Sequence, residues 1–288
     1  MLRGIDVYKG NGRIDWNRVK RAGIDFAMVK ASQGRGEAEL TKDAYLFADP
    51  NFRDNILGAA AAGIPCGVWH WLTAKTVHEA KVEADFFLQT IRPYKSNIKL
   101  WAAVDVESNR HLPQDKTALT AIVRAFMERV EAAGFRPMLY TNPDYLTYRY
   151  TRGAFDDADI WLAHYDVAKP MDVPNLRIWQ HDSVGNAHDV AKGWARTASG
   201  RIPGINAACD VNVGYFELAD ILGERKPDKP VYKVGDKYTV KPGDVYKYSD
   251  GSEKAVPKSL CDGKHTYTIS KVEPGRILLR EIMSWVKA

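Results

Sequence analysis

An apolar run, LWAAVDVE at 100–107, ends in Asp-X-Glu. On an extended strand that spacing puts Asp105 and Glu107 on one face, roughly 6.5 to 7 Å apart along the backbone. Two carboxyls held this close among apolar and aromatic neighbours have their pKa values driven apart, so that one stays protonated and the other ionised. Hydrolysis of a glycosidic bond needs that division of labour between an acid and a partner carboxylate. Taken alone, Asp-X-Glu also occurs in capped loops and salt bridges. Two further acids strengthen the pattern: Asp6 closes the apolar run GIDV at 4–7, and Asp210 closes another in NAACDVNV at 206–213.

Aromatic residues recur at the same run ends: Tyr8, Trp69, Trp71, Tyr140, Trp161, Tyr165 and Trp179. Such rings stack on the apolar faces of sugars while their polar tips hydrogen-bond, although several must also fill a core. The histidines His70, His164, His181 and His188 lack the two-His-plus-acid spacing of a zinc hydrolase helix, and no cofactor or metal is implied.

The elements that must position these residues follow from the hydropathy rhythm. Strand-like runs lie at 2–7, 25–31, 64–72, 98–107, 135–141, 159–165 and 176–181, with helical patterns at 51–62, 77–91 and 116–133. This is the habit of an α/β barrel, whose strand C-termini form the active face. Beyond residue 135 the runs crowd together and turn residues dominate, so helices there are expected to be absent or vestigial. The polar, twice proline-interrupted GERKPDKP at 223–230 reads as a linker. It separates a barrel over 1–222 from a small all-β barrel over 231–288, whose short segments are split by Pro-Gly and Asp-Gly turns.

Composition agrees with that division. With 288 residues, 45% of them hydrophobic, the chain can fill one large core and one small one. No stretch approaches the roughly 18 apolar residues of a membrane span, and the start lacks the apolar core of a signal peptide. The expectation is a protein held in the cytoplasm of the producing cell, without membrane insertion. Cys66, Cys209 and Cys261 are too few and too scattered for a disulfide framework. Residues 231–288 carry 11 Lys+Arg against 7 Asp+Glu, a difference of +4 out of the chain's +5. That excess suits an anionic wall polymer.

Residues 1–222 resemble the family 25 glycoside hydrolases, the phage and bacterial lysozymes. GIDV, VKASQG at 29–34, IPCGVWHW at 64–71, AVDVE at 103–107, LYTN at 139–142, IWLAHY at 160–165, IWQH at 178–181 and CDVNV at 209–213 fall in the family's order. The resemblance implies an irregular TIM-like barrel of eight strands with fewer helices. It also implies cleavage of the β-1,4 bond between N-acetylmuramic acid and N-acetylglucosamine. By that resemblance Glu107 is the general acid, Asp105 its partner, and Asp6 and Asp210 line the cleavage subsite. Tyr8, Trp69, His70, Trp71, Tyr140, Trp161, Tyr165, Trp179 and Gln180 become substrate-binding candidates. Two departures fall near the sugar site: Tyr8 where the family often has Ser, and Trp69-His70 where it has Tyr-His.

The implied reaction has Glu107 protonate the leaving oxygen while the substrate's acetamido oxygen attacks the anomeric carbon. Ionised Asp105 orients the amide; the alternative is direct attack by water with inversion. The tail is similar to bacterial Src-homology-3-type modules, with Tyr246, Tyr248, Tyr267 and Trp285 as wall-contacting candidates, Trp285 reading rather as core together with alternate residues of ILLRE at 277–281. The partner expected is peptidoglycan, with anionic wall polymers as a second one and no nucleic acid, bound by a monomeric chain. Other readings are a bacterial or prophage autolysin, a non-catalytic sugar-binding barrel, and a chitinase-like enzyme, whose longer acidic run is missing before Asp105.

Overall fold

In the computed structural model, described for residues 1–34, 46–107, 112–184, 202–223, 232–241, 244–247, 253–256, 264–273 and 276–287, the chain divides into two compact units, Met1–Gly223 and Glu224–Ala288. The first is a closed barrel. Strands β1 (Leu2–Val7), β2 (Phe26–Gln33), β4 (Cys66–Trp71), β5 (Ile98–Asp105), β6 (Pro137–Thr141), β7 (Ile160–Ala163), β8 (Leu176–Val184) and β9 (Cys209–Gly214) form it, and β3 (Phe47–Ala48) pairs with β2 as an appendage. From β1 through β8 neighbouring strands run parallel, and β9 closes the ring antiparallel to both β8 and β1.

Helices α1 (Trp16–Arg21), α2 (Phe52–Ala61), α3 (Val77–Ile91) and α4 (Lys116–Ala132) cover the first half. Three of them start where a short side chain satisfies a free backbone N–H: Asp15 accepts from Arg18 N, Thr76 from Glu79 N and Asp115 from Ala118 N. Gly63 and Gly134, at positive φ, come just after the capping residues Ala62 and Ala133 of α2 and α4, in the left-handed turn that glycine permits without strain. Along α4 the buried residues Leu119, Ile122, Val123, Phe126 and Val130 recur every three or four positions, so one stripe packs on the barrel. After β6, among the described residues, only a π-turn (Tyr145–Arg149) and one turn of helix (Leu218–Ile221) remain.

Alternation along the strands creates two apolar layers. Outward residues such as Ile5, Val29, Val68, Val104 and Leu139 pack with the helices, while Phe26, Met28, Trp101, Ala103, Met138, Trp161, Ile178 and Phe216 fill the lower barrel interior. Cys66 and Cys209 are buried free thiols; Cys261 lies outside the described residues. Among the described residues no helix is long and apolar enough to cross a membrane.

In the second unit six strands form an antiparallel sheet in the order β10 (Lys237–Thr239), β13 (Thr266–Glu273), β14 (Arg276–Leu279), β15 (Ser284–Lys287), β11 (Val245–Lys247), β12 (Glu253–Ala255). Its core holds Tyr238, Val240, Val256, Tyr267, Ile269, Ile277, Leu279 and Val286, with Tyr246 packed against it. Tyr267 is therefore a core residue and not a surface contact. Trp285 stays half-buried outside that core, beneath Arg276 at 4.3 Å and Lys271 at 5.7 Å. Tyr248 lies outside the described residues.

Candidate active site

The four acids meet at one mouth of the barrel. Asp105 is the last residue of β5 and sits in register between Trp71 of β4 and Tyr140 of β6. Glu107 lies two residues past the end of β5 and not on the strand, yet the chain stays extended there because Val106 N donates to Tyr140 O at 3.0 Å. Asp6 pairs directly with Asp210 across β1 and β9. Asp210 does not end its strand, as the sequence pattern suggests; it stands near the start of β9. Because β9 is antiparallel, its beginning lies at the same mouth where the parallel strands end.

Amides and phenols connect the acids. Asp6 Oδ2 accepts from Gln180 Nε2 at 2.9 Å and from Asn212 Nδ2 at 2.8 Å. Gln180 Oε1 in turn accepts from the Tyr140 and Tyr165 hydroxyls, at 2.6 Å each. This network fixes the amide's orientation, since a flipped Gln180 would set its oxygen against Asp6. The Tyr140 hydroxyl has one proton, and its short contact with Gln180 uses it. Its second contact, to Glu107 Oε2 at 3.5 Å, is long, and the hydroxyl shares that proton with the carboxyl only weakly.

The electrostatics act on all of these groups in one direction. Burial, then the Asp210 and Glu107 charges, pushes Asp6 well above the usual carboxyl range against the pull of its two amide donors. Asp105 is raised in the same way by burial, Glu107 and Asp6, while Lys30 opposes them. Glu107, exposed at the lip, is raised by loss of water among the surrounding walls and by Asp210, with Lys30 and the Tyr140 hydroxyl opposing. Burial and the carboxylates hold the Tyr140 phenol protonated and therefore a donor. Close carboxyls under such conditions titrate as a unit and retain a proton at a pH where separate carboxyls would be ionised.

The aromatic candidates divide three ways. Tyr8 and Tyr165, at 42% and 43% exposure, stand at the rim. Half-buried Trp69 and Trp71 face inward with Tyr140. Three residues require correction. Trp161, 2% exposed, packs edge-on to Tyr140 at 4.6 Å and donates to Asn212 Oδ1, so it forms the floor beneath the site and not its surface. Trp179 alternates with inward Ile178 and Gln180 and so lies on the outer face, where its indole donates to His164 O. His70 alternates with Trp69 and Trp71 in the same way and is fully buried, 5.2 Å from Phe126 and 5.7 Å from Phe87.

Lys30 and Asn212 are not singled out by residue type, yet both face the mouth. Asn212 had a signal in the Asp-X-Asn spacing from Asp210, which places both side chains on one face of β9. Lys30 shares its face with Met28 and hides within an otherwise apolar run.

Residues 5–190 match the sequence profile of glycosyl hydrolases family 25. The chain belongs to that family. Its relatives include the autolytic lysozyme of Clostridium acetobutylicum, 28% identical over 190 residues, a match covering 66% of this chain and 53% of that protein. The match thus spans about half the length of that lysozyme. The fold is shared with the bacterial lysozyme from Streptomyces coelicolor, at TM-score 0.58 and 24% identity over 77% of this chain and 95% of that one. It is also shared with the CTP1L endolysin, at TM-score 0.60 and 23% identity over 78% of this chain and 71% of that one. In this family 25 barrel the acids, the amide network and the inward aromatics all open on one face.

Proposed function

We propose that the chain is an endolysin-type N-acetylmuramidase, hydrolysing the β-1,4 bond between N-acetylmuramic acid and N-acetylglucosamine in bacterial peptidoglycan. The observation that carries this reading is the pairing of buried Asp105 with solvent-facing Glu107 at the mouth of a family 25 barrel. Glu107 reaches solvent, where a leaving oxygen can take its proton. Asp105 is recessed, and its Oδ1 is buried with no hydrogen-bond partner among the described residues, a vacancy suited to the substrate's acetamido N–H. That amide, once oriented, presents its oxygen to the anomeric carbon: the new C–O bond forms as the glycosidic bond breaks, and Glu107 delivers its proton to the departing oxygen. Water then opens the cyclic intermediate, returning a proton to Glu107.

Asp6, tied to Gln180 and Asn212, and Asp210 paired across from it hold the sugar from the opposite side. The 231–288 unit is read as a Src-homology-3-like module that keeps the enzyme on the wall. In that role the enzyme waits in the cytoplasm of the producing cell until it is released to the wall. Reducing-end analysis of digested peptidoglycan tests the bond assignment: new muramic acid ends are expected, and new glucosamine ends alone would falsify it.

A further inference from the structure

Lys30 projects from β2 into the mouth and is only 9% exposed. Its Nζ lies 4.7 Å from the ring centre of Trp69, 5.4 Å from that of Trp71 and 5.9 Å from that of Tyr8. Aromatic faces attract an ammonium but do not replace bulk water, so a cation enclosed in this way needs opposing charge. Among the described residues the charged groups facing it are Asp105 at the end of β5, Glu107 just past it, Asp49 from the segment after β3, and Lys9 as a competing cation. Burial pulls the ammonium's pKa down; Asp105 is the strongest of the carboxylates holding it up.

The backbone fixes this placement. Between β2 and β4 the register passes from Lys30↔Trp69 to Ser32↔His70, which makes Ala31 the extra residue of a bulge. Ala31 packs in the outer core, and Ser32 also faces outward, its Oγ 2.8 Å from His70 Nδ1. His70 Nε2 lies 2.9 Å from Glu83 Oε2, and Glu83 accepts from Thr73 N at 3.1 Å and from its hydroxyl at 3.0 Å. Ser32, His70 and Glu83 are fully buried. This sealed chain fastens β2 and β4 to α3 directly behind the lysine. On the other side Asp49 N donates to Ala31 O at 2.9 Å. Lys30 is thereby held in the mouth, onto which Asp105 also opens; Asp105 Oδ1 is buried and has no hydrogen bond among the described residues.

We propose that Lys30 is a positioning residue for glycoside hydrolysis: its ammonium holds Asp105 as the ionised member of the pair and so leaves the proton on Glu107. The assignment rests on the muramidase reading, and part of its test is independent of catalysis.

The first measurement is the pH profile of wall clearing for wild type, K30M and K30R. Without the cation both carboxyls rise, so the acid limb of K30M moves up by about one pH unit, and its rate on that limb falls about tenfold. K30R keeps the charge and keeps its limbs within about 0.3 unit of wild type, whatever its absolute rate. A K30M profile whose limbs coincide with wild type overturns the proposal. The second measurement is a thermal-unfolding cycle of K30M, D105N and K30M/D105N. K30M lowers Tm in the wild-type background and much less once Asp105 is neutral. Should K30M fail to fold, K30M/D105N folds. An equal effect in both backgrounds, or failure to fold in both, overturns the proposal. The cycle retains its meaning even if no muramic acid ends are found, so the two failures are distinguishable.

Discussion

The lower interior of the barrel and its mouth are lined by the same strands a pleat or two apart, and they are chemically opposite. Below, Phe26, Met28, Trp101, Met138, Trp161, Ile178 and Phe216 interlock, with Trp101 against Phe216 at 4.9 Å, and the two indole N–H groups find Asp159 and Asn212. Above, Asp6, Lys30 and Asp105 are buried with charges that burial itself disfavours. The lower layer stabilises the fold, and the upper layer spends part of that stability on holding carboxyls where they do not wish to ionise. Substitutions should therefore separate the two layers: neutralising a carboxyl above should cost activity and spare or raise stability, and truncating an apolar side chain below should do the reverse.

The largest effect is expected from Glu107→Gln, which removes the proton donor and should lower wall clearing by roughly 10³-fold. Its Tm should stay within about 1 °C of wild type, the range of a neutral surface change. Asp105→Asn should lower activity by about 10²-fold, the scale of losing one oriented charge at the reacting centre. It should also raise Tm, by about 2–4 °C for each kcal/mol released. The sign follows from the raised pKa of Asp105. Below about pH 4 the carboxyl is protonated in both folded and unfolded chains and imposes no penalty. As pH rises the unfolded chain ionises first, so wild type loses stability that the amide variant keeps. The Tm gap should thus be absent near pH 3 and widen toward neutrality; a gap independent of pH would contradict the burial argument.

Met138→Ala, in the lower layer, should cost about 2–5 kcal/mol of unfolding free energy. The rate per folded molecule should remain within about twofold, as checked by denaturant melts beside activity normalised to folded protein. Smallest should be Tyr140→Phe. It removes one hydrogen bond to Gln180, leaves the ring against Trp161, and should reduce activity by about three- to tenfold, in line with one neutral hydrogen bond. A loss as large as that of Glu107→Gln would give Tyr140 a direct part in proton transfer.

The same contrast explains what could be read from sequence. The strand runs and α2, α3 and α4 were legible because their apolar periods of two and of three to four are strong and long. Helix α1, six residues starting at Trp16, is too short to show a period. Asp105, Glu107 and Asp6 were legible as acids closing apolar runs. The facing of Trp179 and His70 was equally available from alternation, since each is flanked by inward residues, but residue type overrode pattern. Two features were not available. The bulge at Ala31 depends on pairing with β4, and the antiparallel turn of β9 that carries Asp210 to the mouth depends on barrel closure. Both are products of tertiary pairing that no local window contains.

The central claim, that Glu107 is the proton donor of a glycoside hydrolase, is tested most directly by pairing two substrates with one variant. Wild type and Glu107→Gln are compared on native peptidoglycan and on a dinitrophenyl glycoside of the muramic acid disaccharide, whose leaving group departs without protonation. The account predicts a loss of roughly 10³-fold on the wall and less than about tenfold on the dinitrophenyl substrate, because only the first needs a general acid. Equal losses on both substrates would contradict it.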